Sequence, residues 1–191
     1  MSRTLARTSS VAAILALSLL GTGCGGPTTF THPEADVSEV KVVGVLPFEN
    51  LSSDKMAGEK VQRIFITELL ATGKFDVLEP GVVARALRNE KMDPFAIGVD
   101  ETKKLGKVLN AQGLFTGSVV EYDEGRGAAS SGGSVTIHLR LLDTASGKTI
   151  WSASRTDNGA NVSARLFAMG AKTGVSVAES LIRDELKTLT R

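Results

Sequence analysis

Cysteine is almost absent from this 191-residue chain, whose single thiol is Cys24. No disulfide can close within the chain, and no cysteine-based zinc cage can assemble. Histidine is nearly as scarce, with two residues. His32 lies in a proline-containing linker and reads as solvated, and His138 has no His, Cys or carboxylate partner at metal-ligand spacing. Aromatic residues make up 5%, with one Trp and one Tyr, and no basic–aromatic interleaving marks a nucleic-acid surface. Long apolar runs are missing too. The stretch Val11 to Leu20 holds ten residues, whereas a membrane-spanning helix needs roughly 20.

What is present begins at that short run. Arg3 and Arg7 precede it with no acidic residue, and Gly21-Thr22-Gly23 follow it. A basic region, a short apolar core and small residues before a cleavage point make residues 1–23 a secretory signal peptide. Cys24 then separates two readings. In the first, which resembles a bacterial lipoprotein signal, the thiol is acylated and Cys24 becomes the first mature residue. Each buried methylene of such a lipid contributes about 0.8 kcal/mol, so a triacylated cysteine is a stable anchor. Gly21 departs from that pattern, which usually has Leu there, and Leu20 comes one place too early. In the second reading, Gly21 and Gly23 satisfy ordinary signal peptidase, and a free N-terminal thiol enters an oxidising compartment unpaired. Gly25, rather than an acidic retention signal, follows the cysteine. The expected address of a lipidated form is therefore the periplasmic face of the outer membrane.

Beyond the signal, basic and acidic residues nearly balance, because residues 1–23 carry only Arg3 and Arg7 among the charged types. No general attraction to nucleic acid or anionic lipid is expected. Residues 24–39 read as the lipidated cysteine followed by a flexible tether rich in Pro, Gly and Thr, reaching at most about 50 Å. Residues 40–191 are long enough for one domain with a real core.

The periodicity from Val40 onward gives an element order βαβααβββα, an α/β domain with a mixed or mainly antiparallel sheet. Val40 to Leu46 is a buried strand stopped by Pro47, and Phe48 to Lys55 is a loop. Val61, Ile64, Phe65 and Leu69 share a helical face, and Gly73 suits the helix end. Phe75 to Leu78 is a short strand. Pro80 opens a helix carrying Val83, Ala86 and Leu87, and Asp100 is the expected N-cap of a third helix carrying Leu105, Val108 and Leu109. Strands are expected over 114–122, 134–143 and 149–157. In the middle one Val135, Ile137, Leu139 and Leu141 alternate with Thr136, His138 and Arg140, as in a half-buried antiparallel strand. Asp123 to Gly133 is a Gly/Ser-rich connection expected to be mobile, and Thr144 to Lys148 is a tight turn with Gly147 available for positive φ. A last helix is expected over 162–189, with Leu166, Phe167, Val177, Leu181, Ile182 and Leu186 inward and Gly170 and Gly174 unexplained.

Candidate chemistry dissolves on inspection. Gly147-Lys148-Thr149 resembles the end of a phosphate loop, yet Leu142 stands where that motif needs glycine, and a strand rather than a helix follows. The carboxylate pairs Glu34/Asp36, Asp100/Glu101, Asp123/Glu124 and Asp184/Glu185 fall in loops, at a helix start or on a solvated helix face. Cys24 has no neighbouring base. No catalytic residue, metal or cofactor is implied.

Three ordered groups of residues remain. They are Val45-Leu46-Pro47-Phe48-Glu49-Asn50-Leu51-Ser52; then Leu105-Gly106-Lys107 with Ala111-Gln112 and Gly117-Ser118-Val119; then Leu139-Arg140-Leu141, Asp143, Ser146-Gly147-Lys148, Trp151-Ser152 and Ser154. In this order and spacing, across about residues 40–185, the chain resembles the superfamily of the curli secretion lipoprotein CsgG. That group also holds the TolB N-terminal domain and lipoprotein activators of penicillin-binding proteins. The resemblance implies an anticodon-binding-domain-like α/β fold and no enzyme activity. Two departures accompany it. The curli channel inserts two long amphipathic hairpins, one after the strand ending near Tyr122 and one after that ending near Asp157. Here neither slot can supply two strands of roughly 9–11 residues, so the pore-forming part is not carried over. The tether is also shorter than that of activators that reach through the cell wall.

The expectation is a non-enzymatic, lipid-anchored envelope domain that binds or scaffolds a protein complex. Its membrane partner would be reached through Cys24, its protein partners are unnamed, and a homo-oligomer follows by analogy with the channel. Alternative readings are an accessory or oligomeric component of an outer-membrane secretion system and an activator of a peptidoglycan synthase. Candidate contact residues are Phe48, Glu49 and Asn50 in one loop and Asp123, Glu124 and Arg126 in another, since loops on rigid scaffolds often carry function.

Overall fold

Seven strands form one sheet in the computed structural model, which describes residues 28–125, 132–159 and 172–189. In chain order they are β1 (Thr28–Thr31), β2 (Val42–Val45), β3 (Glu49–Asn50), β4 (Asp76–Val77), β5 (Gly113–Asp123), β6 (Ser134–Asp143) and β7 (Thr149–Asn158). A 3-10 turn (Val37–Glu39) precedes β2. The helices are α1 (Ala57–Ala71), α2 (Pro80–Asn89), α3 (Val99–Leu109) and α4 (Gly174–Leu189). The α/β class and mixed sheet agree with the periodicity of the sequence. Cys24, Arg126 and the segment with Val162, Leu166, Phe167 and Gly170 lie outside the described residues.

The sheet runs β1-β7-β6-β5-β2-β4, with the short β3 continuing beside β5 past the end of β2. Strand β2 pairs in parallel with β4 and β5, and β3 in parallel with β5, while β5–β6, β6–β7 and β7–β1 are antiparallel. Parallel neighbours need crossover connections, and these supply three of the helices. The crossover from β2 to β4 steps one way along the sheet and that from β4 to β5 steps back. Crossovers of one hand running in opposite directions place their helices on opposite faces. Accordingly, Val61, Phe65 and Leu69 of α1 join one core with Leu181 and Ile182 of α4. Val83 and Leu87 of α2 and Leu105 and Leu109 of α3 form a second, smaller core with Leu46, Leu114 and Leu142.

Three local differences from the sequence reading have physical causes. Thr28–Thr31, expected as tether, forms an antiparallel edge strand on β7, with Thr28 opposite Ser154 and Thr31 opposite Trp151. Its β-branched threonines suit an extended strand, and the open edge of β7 supplies the hydrogen bonds. Glu49–Asn50, expected as loop, pairs with Ser118 and Val119 because β5 outruns β2 and leaves an edge to fill. Asp100 does not cap α3. The helix begins at Val99 behind Gly98, whose N–H donates to the Glu101 carboxylate at 3.1 Å, and Asp100 sits in the first turn, where negative charge interacts favourably with the positive end of the helix dipole. The described part of the last helix starts at Gly174.

Helix α4 is fastened to the antiparallel half of the sheet by polar contacts under its apolar face. Trp151 is fully buried and donates its indole N–H to Thr188 Oγ1 at 3.2 Å. Glu185, 2% exposed, pairs with Arg155 at 3.2 Å and accepts a long bond from the Thr29 hydroxyl at 3.4 Å. The same carboxylate therefore holds β7 and β1 to the helix. Gly147 takes φ +76° in the β6–β7 turn as the sequence suggests. Gly174 has a different purpose: a Cβ there would lie 2.5 Å from the Asp123 carbonyl oxygen, so close backbone approach requires glycine. Gly174→Ala is expected to destabilise the protein by about 1–3 kcal/mol, read as a lower urea midpoint with unchanged m value.

Candidate functional site

The two expected contact loops meet, but not through all the residues expected. Phe48 turns inward, 5% exposed, with its ring 5.4 Å from Phe65. It fits there because Gly117 lacks a side chain; a Cβ at that position would stand 3.0 Å from the Phe48 ring. Phe48 is thus a packing residue. Asn50 organises its own loop, donating to the Asp54 carbonyl at 2.7 Å and accepting from the Ser52 N–H and hydroxyl. Asp123 accepts from the Gly125 N–H at 2.9 Å, which shapes the turn after β5. Glu124 reaches across to the other loop.

The residue that joins them is Lys60 of α1. Its ammonium lies 2.7 Å from Asp54 and 3.3 Å from Glu124, and 5.1 Å from the centre of the Tyr122 ring. Tyr122 donates its hydroxyl to Glu124 at 2.9 Å. The hydrogen bond to Asp54, followed by that to Glu124, raises the Lys60 pKa above its ordinary value. A raised ammonium pKa stabilises the folded state below the unfolded pKa and is lost as pH rises through the folded one. The interaction is accordingly complete at neutral pH and fails only in the alkaline range. The node is partly solvent-exposed, so it positions loops more than it stabilises the fold.

A larger feature lies on the sheet. The α2–α3 face covers β2 and the start of β5, and no helix among the described residues covers that face over β6, β7 and β1. Cross-strand register aligns two rows there. Thr28, Ser154, His138 and Ser118 form one, ending at Glu49; Phe30, Ser152, Arg140 and Thr116 form the other. His138 and Arg140 are exposed, and among the described residues neither their side chains nor that of Glu49 has a hydrogen-bond or ion-pair partner. Thr116 is 7% exposed, and its hydroxyl oxygen is buried without a hydrogen-bond partner. Pro47, Leu51, Pro94, Phe95 and Ile97 rise along one side, making a groove of about 460 Å³ with a polar floor and an apolar wall. Phe95 and Leu51 are 55% and 58% exposed. Of the expected contact residues, only Glu49 lines this groove. Thr116, Arg140 and the Lys60 node were not singled out by the sequence, although the alternation Thr136, His138, Arg140 marks the solvent side of β6.

The catalytic alternatives gain no geometry. Among the described residues no group of three or more His, Cys, Asp or Glu is placed to hold a metal ion. None of their helices is long and apolar enough to cross a membrane.

Residues 36–183 match the family described as curli production assembly/transport component CsgG. None of the curated proteins matches the chain. Solved structures share the fold. A dodecameric PelC variant from Paraburkholderia phytofirmans superposes with a TM-score of 0.61 at 23% identity, covering 86% of this chain and 98% of that one. A second PelC dodecamer from the same organism gives 0.57 at 20%, covering 85% and 96%. The lipoprotein GNA1162 from Neisseria meningitidis gives 0.51 at 22%, covering 61% and 81%. Lys60→Met is expected to leave the fold intact while speeding amide hydrogen exchange severalfold over Ser52–Met56 and Asp123–Gly125, measured by mass spectrometry; unchanged exchange would show that the two loops are held independently.

Proposed function

The chain belongs to the CsgG family, and on that premise we propose that it is a non-enzymatic, lipid-anchored envelope protein that scaffolds an assembly or secretion complex from the periplasmic face of the outer membrane. The observation that carries this reading is the uncovered half of the sheet. It is a rigid floor with unpaired side chains beside an apolar wall, which suits a binding surface and lacks the convergent, water-excluded groups of a catalytic site. The anchor would be the acylated Cys24.

Strand β1 changes what such an anchor does. With Thr28 already docked on β7, only Gly25, Gly26 and Pro27 separate Cys24 from the sheet, a span of about 10 Å when extended. Thr28 also borders the groove. An acyl chain on Cys24 would therefore hold the groove close to the bilayer and raise its local concentration there. The 50 Å reach of a free tether requires β1 to detach.

Homo-oligomerisation is the second part of the proposal. The PelC structures that share this fold are dodecamers, and a heterologous interface that closes would give a ring. This favours, as a second reading, an accessory that works by ring formation beside a separate secretion pore. Cys24→Ser should abolish labelling by a palmitate analogue and shift the protein from the membrane to the soluble fraction; identical labelling and fractionation would remove the anchor. In detergent, mass photometry should find a high-order oligomer, whereas a monomer at all concentrations would rule out the ring.

A further inference from the structure

We propose that the uncovered sheet face is where two copies of this chain pack on each other, with Arg140 of each copy paired to the partner's Glu49. The proposal needs neither an acylated Cys24 nor a ring, so either part of the reading above can fail without it.

The charges in the groove select the occupant. Apart from His138, the titratable side chains that line it are one carboxylate, Glu49, and one guanidinium, Arg140. Neither has a hydrogen-bond or ion-pair partner among the described residues. A uniformly acidic ligand would be repelled by Glu49 and a uniformly basic one by Arg140. A face with one unpaired charge of each sign is complementary to a copy of itself, because a two-fold exchange sets every Arg140 against a Glu49.

The backbone fixes how the axis of that exchange would run. Glu49 pairs in register with Ser118, and so stands in the same cross-strand row as His138, two strand spacings from β6. Arg140 lies two residues further along β6. The two Cα positions are therefore about 10 Å apart across the strands and about 7 Å apart along them. For one face to exchange with the other, the axis lies between the sheets and bisects that line. It then runs closer to the strand direction than across it. Both copies point the Thr28 end of β1 to the same side, so two chains held at one membrane can pair.

Shape agrees with charge. Ser118, Ser152 and Ser154 give the floor small side chains, over which a second sheet can approach to about 10 Å. The wall that carries Leu51 and Phe95 rises along one side of this floor. The exchange brings the partner's wall down toward the opposite, β1 side, where Phe30 is 44% exposed. Apolar groups on both margins of a polar floor are then covered in one step.

The test uses the full chain in detergent, with mass photometry and sedimentation velocity following assembly over a concentration series. Wild type should self-associate. Arg140→Glu puts like charges together at both contacts and should raise the concentration required by at least about ten-fold. Glu49→Arg should do the same. The double variant Arg140→Glu/Glu49→Arg restores both contacts with the signs exchanged, and its assembly should return close to that of wild type. Misfolding cannot mimic such a rescue. Arg183→Ala, which removes a guanidinium engaged with Glu68 between α1 and α4, should change nothing. A double variant as weak as the single ones would overturn the proposal. A high-order oligomer that persists through all three charge variants would do so too, while leaving a ring built on another surface intact. A wild-type chain that stays monomeric at every concentration would also overturn it and leave the face to a partner of another kind.

Discussion

Phe115, near the start of β5, meets Phe65 of α1 at 5.1 Å, Phe75 beside β4 at 6.0 Å and Trp151 of β7 at 6.4 Å. The three contacts, two near-perpendicular and one at 64°, favour the edge-to-face electrostatics of aromatic rings and contribute about 0.5–1.5 kcal/mol each beyond their burial. They also join the two kinds of sheet that β5 must hold together. On one side its partners β2 and β3 are parallel, and on the other β6 is antiparallel. A strand with this double duty has to be buried on both faces near its start, and Leu114 and Phe115 are both fully buried.

The change of direction at β5 decides where the helices go. Parallel strands are linked by crossovers, so β2, β4 and the start of β5 receive α1 on one face and α2 with α3 on the other. Antiparallel strands are linked end to end and bring no helix with them. Among the described residues only α4 returns to cover β6 and β7, and it covers one face. The groove is the remainder: the other face of the same strands, bordered by the α2–α3 connection that carries Pro94, Phe95 and Ile97. Its polarity and its openness have a single origin in the topology.

The ends of the strands add a second organisation. Gly174 abuts Asp123, the Gly174 N–H donates to the Glu124 carbonyl at 3.3 Å, and Lys60 ties Glu124 to Asp54. These contacts bring the turn after β5, the loop after β3 and the start of α4 to one end of the sheet. Strand β1 runs antiparallel to β7, so its first residue, Thr28, points the preceding chain toward that same end. An anchor at Cys24 would thus approach the domain from the side where the strand-connecting turns gather. Glu185, buried beneath β1 and β7, makes this arrangement part of the folded structure rather than an appended tail.

Much of this was legible in one dimension. The alternation in Ser134–Asp143 identified β6 and separated Ile137 and Leu139 from His138 and Arg140, because a period of two has only one structural meaning over that length. The 3.6-residue spacing of Val61, Phe65 and Leu69 and the turn glycine Gly147 were equally direct, each being a local requirement of the backbone. The string Val45–Ser52 helped carry the family resemblance although Val45, Leu46 and Phe48 in it are core: Phe48 reads as a loop residue until Gly117, far along the chain, makes room for its ring. The strand at Thr28–Thr31 was not legible, since its residues bury nothing and become a strand only where β7 offers an edge. The groove was not legible either. Sequence determined that Arg140 lies on the polar side of its own strand; only the tertiary structure aligned it in one row with Thr116 and Ser152 and left that row uncovered by any helix among the described residues, because the register of three strands and the sides chosen by crossovers are long-range properties that no single segment encodes.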